Sequence, residues 1–127
     1  MSVGSPLAQV PGSGTAESGT KHWWAQRVTA VALLILGGWF LYSITQLDSF
    51  AHSALLAWAG RPFNSVTLLL LSLTLAWHSA LGVQVVIEDY VHGSSISVVS
   101  LLLNRFAHAF LAIAAVVAIV RIALGES

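Results

Sequence analysis

Residues 62–87, PFNSVTLLLLSLTLAWHSALGVQVVI, run for 26 positions between Arg61 and Glu88 without a charged side chain. A helix needs about 20 mostly apolar residues to cross the hydrocarbon core of a bilayer, so this stretch predicts a membrane-spanning helix. Two further stretches obey the same rule. Residues 28–47, VTAVALLILGGWFLYSITQL, give 20 uncharged positions between Arg27 and Asp48. A third span covers roughly 97–120 and ends in AFLAIAAVVAIV before Arg121. Its one charge, Arg105, lies about two turns from the expected helix start, where its stem can snorkel to the interface.

The composition agrees. The 127 residues are 57% hydrophobic and 8% charged, against about 25% charged in a soluble domain. So few charges cannot cover a water-facing surface of this size, which excludes a soluble enzyme. Five basic and five acidic residues give a formal net charge of zero, and nucleic acid as a partner calls for a basic footprint. Without cysteine, this chain supplies no disulfide, no thiolate to zinc and no ligand of that kind to an iron–sulfur cluster.

The expected architecture is an all-α membrane protein with three transmembrane helices running up-down-up. Residues 1–20, MSVGSPLAQVPGSGTAESGT, are rich in Gly, Ser, Pro and Thr. They read as a disordered, flexible N-terminal tail ahead of a three-helix anchor domain over 21–127. They lack the arginines of an organellar transit peptide, which points to a bacterial inner (cytoplasmic) membrane. The first connection, residues 48–61, has room for a short interfacial helix with Trp58 at headgroup level. Pro62 suits a first helical turn. The second connection is 91–96, VHGSSI, with Gly93 and the serines as breakers. The topology puts Lys21, Arg27 and Arg105 on one side and Arg61 and Arg121 on the other. Positive-inside bias then predicts a cytoplasmic N-terminus, with Ser127 in the periplasm.

His78 is the most informative position. At 1.5 Å per residue it lies about 18 Å from Tyr90 and about 22 Å from Phe63, near mid-bilayer. An ionisable side chain at that depth marks a functional site by default, and neutral imidazole is a common axial ligand of haem iron. The competing reading is an interhelical hydrogen bond to Ser or Thr. Gly82 follows one turn later on the same face, where a flat macrocycle or another helix can approach; plain small-residue helix packing is the preferred reading of this residue alone. Asp89, eleven residues after His78, returns to within about 20° of the same direction. With Tyr90 it could hydrogen-bond and protonate a small oxygenated headgroup such as a quinone, although an interfacial Tyr beside a solvated carboxylate needs no such role. Arg27 could hold haem propionates in a bidentate fork or simply flank the membrane. His108 lies at a depth close to that of His78, so the two could ligate one haem. Alternatively His108 joins Arg105 in a polar seam, the reading preferred here.

The run Trp77-His78-Ser79-Ala80-Leu81-Gly82-Val83-Gln84-Val85-Val86-Ile87-Glu88-Asp89-Tyr90-Val91 resembles the hydrophobic membrane anchors of succinate:quinone oxidoreductase (complex II). That family shows His, then Gly at four, then Asp-Tyr at eleven and twelve. Gln26-Arg27-Val28-Thr29-Ala30-Val31 is similar to its Arg-x-Thr-Ala opening of helix one. The resemblance covers about residues 21–122. It implies that His78 is one axial ligand of haem b, with the other supplied by a separate cytochrome b anchor subunit. It implies likewise that Arg27 meets a propionate, that Tyr90 hydrogen-bonds ubiquinone and that Asp89 supports proton delivery. The partners so implied are the cytochrome b, iron–sulfur and flavoprotein subunits of succinate dehydrogenase, an enzyme of the tricarboxylic acid cycle and electron transport. The chain itself would hold no independent catalytic site. Two other classes compete: a single-chain b-type cytochrome using His78 and His108, and a non-redox structural or assembly membrane protein.

Overall fold

The computed structural model describes residues 13–126, and these form four helices. They are α1 (Ser13–Thr45), α2 (His52–Ala59), α3 (Pro62–Tyr90) and α4 (Ser94–Ala123). Helices α1, α3 and α4 are each long and apolar enough to cross a membrane. The short α2 lies between the first two spans, where the sequence leaves room for an interfacial helix. A helix the length of α3 measures about 44 Å, longer than the roughly 30 Å hydrocarbon core. The helix ends therefore reach past the core or the helices tilt.

Helix α1 begins inside the stretch expected to be a tail. Residues 13–20 are helical, and an exposed ion pair from Lys21 to Glu17 at 3.2 Å, one turn apart, spans the start of the apolar part. Residues 1–12 of the expected tail lie outside the described residues. The second connection is also shorter than expected, because Ser94, Ser95 and Ile96 join α4. Gly93 precedes them with φ +105°, a conformation a side chain rarely tolerates. This lets α3 turn into α4 within residues 91–93.

The packing order follows from the pairings. Thr29 of α1 bonds His78 of α3, while Trp39 of α1 meets Phe63 of α3 with ring centroids 6.0 Å apart. Numbers rise along one helix as they fall along the other, so the two are antiparallel. Ala80 of α3 meets Asn104 of α4, and Gly60 lies against Ile122, so α4 is antiparallel to α3 in turn. The up-down-up order holds. Helix α3 is central, with α1 and α4 packed on it and not on each other.

The interior is the reverse of a soluble core. Among the described residues the buried ones are Trp58, Thr29, Asn64, Ser65 and Asn104, while large apolar side chains such as Leu34 and Phe106 point outward. Lipid tails solvate apolar side chains as well as other side chains do. Helix association therefore rests on small residues, close packing and interhelical hydrogen bonds. Trp58 turns inward. It stacks on Trp39 at 6.1 Å, meets Phe40 edge-on and donates its indole N–H to Ser43 Oγ at 2.8 Å.

Candidate functional site

His78 projects from α3 toward α1 and ends on a buried threonine. Thr29 Oγ1 lies 2.9 Å from His78 Nδ1, 2.6 Å from Ala25 O and 3.2 Å from Gln26 O. A hydroxyl has one proton to donate, and carbonyl oxygens only accept. Thr29 therefore donates into its own helix and accepts from His78, whose Nδ1 carries the ring proton. His78 Nε2 is left with its lone pair. It has no hydrogen-bond partner among the described residues and is not enclosed by the chain. A neutral imidazole with one nitrogen protonated and bonded, and the other open, is in the form a metal ligand requires.

His108 differs in this respect. Its Nδ1 is 2.9 Å from Asn104 O, a carbonyl, so Nδ1–H donates there. Its Nε2, at 3.0 Å, accepts from the Ser79 hydroxyl. Both ring nitrogens are used within the chain, so His108 joins a polar seam between α3 and α4 through Asn104 and Ser79. Arg105, the expected companion, is exposed and takes no part in these bonds. Asn104 continues that seam by donating from Nδ2 to Ala80 O at 2.9 Å. His78 and Ser79 are successive residues and diverge by about 100° around α3, so the two histidines serve opposite helix partners.

Arg27 is exposed and holds its guanidinium over the Trp23 ring, 5.4 Å from the centroid. It makes no ion pair among the described residues. Gly82 faces α1, where an added Cβ would meet Gln26 Nε2 at 3.9 Å, an ordinary contact. That is the helix-packing alternative for this glycine. Asp89 and Tyr90 close α3, both exposed, with Tyr90 at 78%. Neither is drawn into the three-helix unit. Among the described residues, no group of three or more His, Cys, Asp or Glu side chains gathers to hold a metal ion.

The interhelical bond from His78 to a Ser or Thr, the competing reading of the sequence, is present; what the sequence did not single out is Thr29 as its partner. The signal was a polar residue inside VTAVALLIL, which in lipid must find a hydrogen-bond partner. His22 and Gln26, one turn apart on α1, have Nε2 and Oε1 atoms buried without a hydrogen-bond partner among the described residues.

The family described as succinate dehydrogenase/fumarate reductase transmembrane subunit matches residues 1–121. Among curated proteins, the succinate dehydrogenase hydrophobic membrane anchor subunit of Paracoccus denitrificans is 33% identical over 121 residues, covering 95% of this chain and 93% of the relative. The protein of the same name from Rickettsia bellii is 37% identical over 86 residues, 67% of this chain and 68% of the relative. The succinate dehydrogenase membrane anchor subunit of Reclinomonas americana is 34% identical over 92 residues, 70% of this chain and 77% of the relative. No solved structure gives a significant match.

Proposed function

The chain belongs to the succinate dehydrogenase/fumarate reductase transmembrane subunit family, and from that membership we propose that it anchors the flavoprotein and iron–sulfur subunits, helps bind haem b and forms part of the ubiquinone-reduction site. As a multi-pass anchor it serves an oxidoreductase complex without a catalytic site of its own. The observation that carries the finer reading is the mid-membrane His78 with Nδ1 committed and Nε2 open.

Each residue then has a task. His78 would hold haem iron through Nε2, with the second ligand from the cytochrome b anchor subunit. Haem b, when bound, supplies a one-electron centre whose potential depends on its ligands and the surrounding dielectric. Arg27 can offer its guanidinium edge to a propionate while the flat face stays on Trp23. Tyr90 donates its hydroxyl proton in a hydrogen bond to a quinone carbonyl at the membrane edge. Asp89, beside it in sequence, relays protons from water. Tyr90 can serve a partner-built pocket because this chain leaves it exposed. The single-chain cytochrome is disfavoured, since His108 has no free ring nitrogen.

The test is Tyr90→Phe in the assembled complex, scored as the ratio of quinone-linked succinate oxidation to oxidation by a soluble acceptor. Losing one hydrogen bond, worth about 0.5–1.5 kcal/mol, is expected to lower that ratio about two- to tenfold. An unchanged ratio reduces Tyr90 to an interfacial anchor. Failure of the tagged chain to co-purify with succinate:quinone activity would overturn the whole assignment.

The Tyr90 end faces the cytoplasm in this reading, because Lys21, Arg27 and Arg105 outnumber Arg61 and Arg121. Single cysteines at Ser49 and His92, exposed in opposite connections, can be compared in a chain with no native cysteine. A membrane-impermeant thiol reagent added from the periplasm is expected to label position 49 and spare position 92. The reverse pattern inverts the topology.

A further inference from the structure

We propose that Thr29 is a positioning residue that fixes the tautomer of His78 and thereby tunes the haem iron this histidine would hold; the inference rests on the haem reading above. Thr29 is 4% exposed, so no water competes for its hydroxyl. Its proton is committed to the backbone one turn back, with Ala25 O at 2.6 Å and Gln26 O at 3.2 Å. The β-branched side chain has few rotamers in a helix, and this back-bond selects one. What remains toward α3 is an oxygen lone pair, which only a protonated Nδ1 can satisfy at 2.9 Å. The opposite tautomer would require the hydroxyl to turn from Ala25 O and donate to Nδ1 instead, giving up the 2.6 Å back-bond. That loss weighs about two- to tenfold against it, or about 0.5–1.5 kcal/mol. Iron is thus directed to Nε2.

The bond acts on electronics as well as geometry. An acceptor on Nδ1–H makes the ring a more basic ligand, and a more basic ligand favours ferric over ferrous iron. Thr29→Val keeps the branched shape and removes the oxygen, while Thr29→Ser keeps the oxygen. In the purified complex, Thr29→Val is expected to raise the haem b midpoint potential by up to a tenfold change in the ferric/ferrous ratio, about 59 mV for one electron. Thr29→Ser is expected to return it to the wild-type value. A threonine that served only to clasp α1 to α3 would alter assembly and leave the potential alone.

The outcomes separate the two readings. A wild-type complex without haem overturns the haem assignment and this inference with it. A haem whose potential is the same in wild type and Thr29→Val overturns this inference and leaves the haem assignment standing. If Thr29→Val does not assemble, pulsed EPR of the remote imidazole nitrogen in the wild-type ferric complex decides. A quadrupole coupling typical of a hydrogen-bonded N–H is expected, and that of a free N–H would overturn the proposal.

Discussion

Replacing His78 with alanine is expected to strip haem b from the assembled complex while the chain still inserts in the membrane. Insertion follows from apolar length, and alanine for histidine makes α3 more apolar at its centre. Little else in the chain loses a needed partner. Thr29 keeps its bonds to Ala25 O and Gln26 O, so its hydroxyl proton is not orphaned. The loss therefore falls on whatever used Nε2. Removing a group that merely supports a metal ligand costs roughly 10–100-fold in affinity, so removing the ligand itself should exceed that range. The low-spin haem absorption of the purified complex is the readout. An unchanged spectrum moves the ligand role off His78. His108 would then have to give up its bond from Ser79 to take that role.

The three spans were legible because their signal is simple: lipid demands long uncharged stretches, and Arg27, Asp48, Arg61 and Glu88 bound two of them. His78 was legible for the same reason, since an imidazole at mid-span needs an account. The start of α1 was not. Composition marks residues 13–20 as tail, yet helix continues outward once an apolar span has nucleated it and added residues need only propagate. Thr29 escaped because its role depends on which face of α1 meets α3, and hydrophobic periodicity is silent when every face is apolar. His108 shows the converse. Depth alone left it open as a second ligand although a polar seam was the preferred reading, and the Asn104 carbonyl and Ser79 hydroxyl are what occupy its two ring nitrogens.

The same blindness to facing hid Trp58, where the largest effect on stability is expected. An aromatic at a membrane edge ordinarily reads as a headgroup anchor, but this one is the single buried large apolar residue among those described, at 7% exposure. Its ring stacks on Trp39 of α1 and meets Phe40, its indole N–H bonds Ser43, and its carbonyl accepts from Asn64 Nδ2 at 2.8 Å. It thereby joins the end of α1, the short α2 and the start of α3. Close by, α4 packs its Ile122 against Gly60. Aromatic-to-alanine changes in packed sites cost about 3–5 kcal/mol. Lipid supplies part of the lost apolar environment, which places Trp58→Ala at about 3 kcal/mol, the lower end. Trp58→Phe should cost only about 1 kcal/mol, because the backbone carbonyl and most of the ring contact survive while the bond to Ser43 is lost. Thermal unfolding of the complex in detergent should rank wild type, Phe and Ala in that order. His78 and Tyr90 lie well away from this joint along α3, so the haem spectrum of complex that does assemble should match wild type. A Trp58→Ala complex as stable as wild type would mean that the joint does not hold the helices together. An altered haem in a stable Trp58→Ala complex would mean that the two ends of α3 are coupled, contrary to their separation along the helix.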